Sequence, residues 1–133
     1  MIIGIGNDLA DIRRIEKLLE SSGDQFINRC FTEEEQAKAR KSSTQKGQSS
    51  TYAKRFAAKE ACAKALGLGF AGGVEMRDIG VRTDENGRPF IELEGGALKR
   101  LEAITPQGRI AQLHLSLSDE YPYAQAFVVI ETV

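Results

Sequence analysis

The sequence predicts an α+β fold in which an antiparallel sheet packs against a long central helix. Three stretches carry that expectation. Arg55–Gly67 is built from strong helix formers, with no glycine or proline before Gly67. Asp84-Glu85-Asn86-Gly87, set between two short β-prone runs, carries the Asn-Gly signal of a hairpin. Gln112–Ser118 alternates strictly, with leucines on one face and Gln112, His114, Ser116 and Ser118 on the other.

Bulk properties narrow the function. The 133 residues suit one domain, 1–133, around one core. Hydrophobic residues make up 41% and charged residues 28%, the balance of an ordinary globular protein. A formal net charge of −1 argues against broad electrostatic binding to nucleic acid. The apolar runs are too short to span a bilayer, so no membrane association is expected. Met1–Ile5 lacks the basic region and cleavage site of a signal peptide. Cys30 and Cys62 form no Cys-x-x-Cys motif and read as reduced thiols of a cytoplasmic protein. A single histidine excludes a histidine–cysteine zinc cluster.

Taken in order, Met1–Gly6 is rich in isoleucine and reads as a first strand. Its Gly4-Ile5-Gly6 lacks the third glycine of a dinucleotide fingerprint, so a Rossmann site is rejected. Asp8 follows the strand and serves equally as a turn residue or a metal-binding acid. Asp11 caps a helix from Ile12 to about Ser21, with Ile12, Ile15, Leu18 and Leu19 as its apolar stripe. Arg13, Arg14 and Lys17 lie on its polar side. Gly23 is expected to end it, and Phe26–Phe31 forms a second short piece bearing Arg29. Thr32-Glu33-Glu34-Glu35 is a capping box. Lys41–Ser50 has no apolar residue and reads as a flexible surface loop.

The central helix carries an oddity. Phe56, Glu60, Ala63 and Gly67 fall on nearly one line, flanked by Lys59 and Lys64, while the other faces carry small residues. An ordinary solvated Glu60–Lys64 pair accounts for these charges as well as a phosphate or metal site does. Beyond the helix, Leu68–Gly73 is a glycine-rich loop whose amides could approach an anion. Asp78–Thr83 and Arg88–Leu93 are the hairpin strands, Gly96–Ile104 a short helix, and Ala124–Ile130 the last strand. A lone strand histidine such as His114 is more often unremarkable than catalytic.

Together these segments resemble the bacterial holo-[acyl-carrier-protein] synthases, the small type of 4'-phosphopantetheinyl transferase, over nearly the whole chain. Gly4-Ile5-Gly6-Asn7-Asp8-Leu9 with Ile12–Glu16 matches the amino-terminal signature. Arg55-Phe56-Ala57-Ala58-Lys59-Glu60-Ala61 through Lys64 to Gly69 matches the central one. The hairpin and His114–Ser118 also fit. Asp119 departs from the histidine that many members of the broader superfamily carry there, and no role is assigned to it.

The resemblance implies transfer of phosphopantetheine from coenzyme A to a serine of an acidic apo acyl carrier protein, for fatty acid biosynthesis, with release of adenosine 3',5'-bisphosphate. It implies Mg²⁺ held by Asp8 and Glu60, and Lys64 on the pyrophosphate. Lys59 is expected to contact phosphate or orient Glu60, and His114 and Ser116 to contact the nucleotide. The base is Glu60 or a water on the metal. Arg14 matches the carrier-contacting position, with Arg13 and Arg29 as further candidates. A homotrimer with sites between subunits is also implied. A transferase for a secondary-metabolism carrier, or a non-catalytic coenzyme A binder, are the alternatives; two retained acids favour the enzyme.

Overall fold

The computed structural model describes residues 1–133, and its architecture is set by how closely one helix lies on one sheet. The strands are β1 (Ile2–Asp11), β2 (Ile79–Thr83), β3 (Pro89–Leu93), β4 (Ala111–Glu120) and β5 (Tyr123–Thr132). The helices are α1 (Ile12–Cys30), α2 (Glu33–Arg40), α3 (Gln45–Ala65) and α4 (Gly95–Ile104). A three-stranded antiparallel sheet has the order β1-β5-β4, and β2 and β3 form a separate hairpin.

The sheet has unequal faces. On β5, Ala124, Ala126, Val128 and Ile130 are buried beneath α3, while Gln125 and Phe127 point outward. Register carries this division to the neighbouring strands. Gly6 pairs with Val128 and Asp8 with Ala126 on the inner face; Ile5 and His114 both pair with Val129 on the outer. The inner face meets a helix with almost no side-chain thickness, since Ala57, Ala58, Ala61 and Ala65 are all buried. A Cβ at Gly6 would strike the carbonyl oxygen of Ala61, and one at Gly4 that of Ala65. The two glycines of the Gly-x-Gly fragment therefore serve close backbone packing.

The element boundaries differ from the sequence expectation in three places. Strand β1 continues past Gly6 to Asp11, because β5 pairs with it as far as Tyr123 opposite Asp11. Asp8 thus lies within a strand. Helix α1 does not stop at Gly23; it bends at Ser22 (φ −132°, ψ 20°) and resumes. Its second half is held by the aromatic ring of Phe26, 5.6 Å from Phe31 and 6.1 Å from Phe56. The polar stretch expected as a loop is largely the start of α3, capped by Thr44, whose side chain accepts from the Gly47 amide. The Asp11 cap and the Thr32–Glu35 capping box form as expected, and Gly67 follows α3 at φ +88°.

Glu35 does more than close its capping box. It is buried together with Lys59, whose ammonium lies 2.8 Å from Glu35 Oε1 and donates to the carbonyls of Met76 at 3.0 Å and Ile79 at 2.6 Å. Glu35 Oε1 also accepts from the Thr32 amide and Oε2 from the Val81 amide. One fully bonded ion pair thereby ties α2, α3 and β2 together. Lys59→Met should leave Glu35 an unpaired buried carboxylate and cost about 3–5 kcal/mol. The double variant Lys59→Met/Glu35→Met should recover most of that loss, as read by urea unfolding of the three proteins.

Candidate active site

The close seam between β1 and α3 brings three charged side chains together. Asp8 shares the inner strand face with Gly4 and Gly6, and Glu60 and Lys64 lie one residue before Ala61 and Ala65. Lys64 Nζ donates to Asp8 Oδ1 at 3.1 Å and to the Asn7 carbonyl at 3.0 Å. Its ion pair is with Asp8, so the solvated pair with Glu60 does not explain these residues. Glu60 is half-buried, and its carboxyl is pushed above the ordinary glutamate value, first by burial and then by the charge on Asp8. Lys64 and Arg14 act in the opposite direction without cancelling it. Burial and the neighbouring carboxylate thus outweigh the two nearby cations.

The donor set limits how a metal could be held. No cluster of three or more histidine, cysteine or acidic side chains exists, which excludes an all-protein cage. Two carboxylates are compatible with Mg²⁺, which is commonly held by one or two acids and completed by water and substrate phosphates. A divalent cation would also relieve the repulsion between Asp8 and Glu60.

His114 and Ser116 stand elsewhere. They project from the outer face of the sheet, exposed, while Asp8 projects from the inner face toward α3. One protomer does not bring the two groups together. His114 borders a cavity of about 420 Å³ between β4 and the β2–β3 hairpin, also lined by Arg88 and Phe90.

A family profile matching residues 4–126 is that of the 4'-phosphopantetheinyl transferase superfamily. The chain belongs to that superfamily. It is 56% identical to a holo-[acyl-carrier-protein] synthase of Nitrobacter hamburgensis, over 100% of this chain and 96% of that relative. Among solved structures it resembles the holo-[acyl-carrier-protein] synthase of Neisseria meningitidis, with a TM-score of 0.82, 40% identity and coverage of 98% and 99% of the two chains. The Bacillus anthracis enzyme, in complex with CoA (3',5'-ADP), superposes with a TM-score of 0.76 at 36% identity, covering 98% of this chain and 96% of that one. The transferase is thus an enzyme of the holo-[acyl-carrier-protein] synthase type, with the phosphopantetheinyl transferase fold.

Within the transferase, one expected site residue is corrected. Lys59 has no exposed surface, and its ammonium is bonded to Glu35 and two carbonyls. Adjacent helix positions diverge by about 100°, so Lys59 points away from the side on which Glu60 meets Asp8. In this arrangement it reaches no substrate phosphate, and its ammonium does not hydrogen-bond Glu60.

The arginines also separate. Arg13 lies folded onto Asp11, with Nε at 2.9 Å and Nη2 at 2.7 Å from the carboxylate, and holds Asp11 below its ordinary carboxylate range. Arg14 is exposed and within electrostatic reach of Glu60. Arg29 is exposed in the last turn of α1, where neighbouring Cys30 feels both Arg29 and Glu60. Of the two, only Arg14 acts on the acids: it bears on Glu60, whereas Arg29 lies at the far end of bent α1.

Three features carried no sequence signal. Asp119 pairs with Lys54 at 3.1 Å and accepts from Ser50 Oγ at 3.0 Å, pinning the end of β4 to α3. Arg55 is buried with no acceptor for its Nε in the protomer. His114 Nε2 lies 3.0 Å from Glu131 Oε1 on the adjacent strand.

The raised Glu60 carboxyl has a measurable consequence. Its protonated form is favoured by folding, so its stabilising contribution is present below the ordinary glutamate value of 4.5 and is lost as pH rises through the higher folded value. Glu60→Gln should therefore raise the Tm of metal-free protein at neutral pH. The gain should shrink toward zero on acidification below that range, as followed by thermal melts in chelator across pH.

Proposed function

We propose that the transferase moves 4'-phosphopantetheine from coenzyme A to a serine of an acidic apo acyl carrier protein in fatty acid biosynthesis. In this reading the reaction depends on Mg²⁺ and releases adenosine 3',5'-bisphosphate. The observation that carries it is the meeting of Asp8, Glu60 and Lys64 on one seam. The Bacillus anthracis relative with bound CoA (3',5'-ADP) supports the nucleotide product.

Asp8 and Glu60 would hold the metal, which when bound would supply Lewis-acid charge to the pyrophosphate oxygens. Lys64, anchored to Asp8 and the Asn7 carbonyl, presents its ammonium to the oxygen that gains charge as the pyrophosphate bond breaks. Glu60 is also the carboxylate at hand for the serine proton. Arg14, beside these acids, and Arg29, farther along α1, would present cations to the acidic carrier and chiefly raise its association rate. The free, buried cysteines suit a reducing, cytoplasmic setting.

The remaining element is assembly. We infer a homotrimer from the family resemblance, and the outer sheet face supplies an uncovered apolar patch that an interface could use: Ile5 is 62% exposed, Leu9 60% and Phe127 42%. His114 and Ser116 share that face. A second copy seated on it would bring the nucleotide-contacting side chains beside another protomer's acids.

Asp8→Ala and Lys64→Ala should each lower kcat/KM for coenzyme A by roughly 10²–10³-fold, with folded stability shifted by only about 1 kcal/mol, because the lysine of the pair is exposed and the loss of Asp8 relieves Glu60. Mass analysis of apo carrier incubated with coenzyme A and Mg²⁺ checks this; near wild-type transfer in either variant would remove that residue from the site.

Phe127→Asp should place a charge in the apolar face, split the assembly to monomers by light scattering and remove activity. A monomeric wild-type protein with full activity is the contrary result.

A further inference from the structure

The contact between Glu131 and His114 lies on the outer face of the sheet. Both side chains are part-exposed, and they form a diagonal cross-strand pair, since His114 lies opposite Val129 and Glu131 opposite Gln112. The imidazole stands with Nε2 at 3.0 Å from Glu131 Oε1 and with the His114–Arg88–Phe90 cavity beside it. A ring nitrogen engaged by a carboxylate fixes both the ring's orientation and which nitrogen is left for another partner. Here the one left free is Nδ1.

We propose that Glu131 is a positioning residue for coenzyme A binding. It holds His114 through Nε2 and so directs Nδ1 at a phosphate or hydroxyl oxygen of the nucleotide. The proposal rests on the reading that His114 contacts the nucleotide. When the ring carries both protons, Nε2–H donates to Glu131 and Nδ1–H to the ligand oxygen. The His114–Glu131 pair is then neutral, so the glutamate does not leave a net repulsive charge facing the phosphates. No such arrangement follows from Gln112 or Ser118, which lie on the same outer face but are uncharged.

The transferase has one histidine, so its ring can be followed without ambiguity by nitrogen-15 NMR. In wild type the proton of the neutral ring should sit on Nε2, and addition of adenosine 3',5'-bisphosphate should shift Nδ1 more than Nε2. In Glu131→Ala the two tautomers should mix. The KM for coenzyme A should rise about fivefold, the scale of one modest hydrogen bond, and by more than any change in the KM for the carrier. Glu131→Gln keeps an acceptor oxygen and should recover part of the loss. His114→Ala should raise the KM itself, and adding Glu131→Ala to it should change nothing further. If His114→Ala raises the KM while Glu131→Ala leaves both KM and tautomer as in wild type, the positioning role is overturned and the nucleotide reading stands. If His114→Ala leaves the KM unchanged, both are overturned.

Discussion

Gly4 and Gly6 let the α3 backbone come so near β1 that the carbonyls of Ala65 and Ala61 occupy the space a side chain would need. The contact repeats because the two periods nearly match. Two strand residues advance about 6.7 Å and four helix residues about 6 Å. Gly4 therefore meets Ala65 and Gly6 meets Ala61, the strand running against the helix. One more step along the strand brings Asp8, and the positions one residue before Ala61 and Ala65 bring Glu60 and Lys64. Asp8 is close enough to raise the Glu60 carboxyl and to bond Lys64 because nothing thicker than a backbone separates the two elements. Any β-carbon in the seam would push the helix outward and part the charges.

Closeness alone does not fix how α3 is turned about its axis. Its buried surface is mostly alanine, and small residues allow many rotations at similar packing cost. The Lys59–Glu35 pair removes that freedom. An ammonium with three acceptors and a carboxylate with three donors are satisfied in one geometry only. Burying both ions is expensive, and an apolar pair could hold the same volume at less cost. What the ions add is direction: with Lys59 turned toward α2 and β2, the next residue, Glu60, has to face β1. Two consecutive charges in one motif thus face opposite ways, one into the architecture and the other toward the proposed site.

This division explains what was legible in the sequence. The α3 motif, the Asp11 and Thr32 caps and the Asn86-Gly87 hairpin are local patterns, and local patterns survive folding. Asp8 and Glu60 could be paired only through resemblance, since the separation between them carries no periodic signal. Glu35 was hidden because its capping-box role already explained it. Lys59 was misread because burial of a lysine depends on partners distant in sequence. The start of α3 looked like a loop because its first turns carry no apolar residue to mark a buried face, although Ser49 is buried there and Thr44 caps it. Glu131 facing His114 depends on the β4–β5 register, which no single-strand pattern discloses.

The sheet sets a final constraint. Successive strand residues point to opposite faces, so Asp8 and His114, fixed on opposite faces by register, cannot approach each other by any side-chain movement. A ligand that touched both within one protomer would have to wrap the sheet edge, past β1 on one side or β4 on the other. The outer face offers a simpler arrangement, because its exposed apolar side chains would gain from a cover. If that cover is another copy, the surface that buries Ile5 and Phe127 is also the one that presents His114 to a neighbour. Assembly and substrate binding would then depend on the same few side chains, and a chain of this size would need no second layer of its own to enclose the nucleotide.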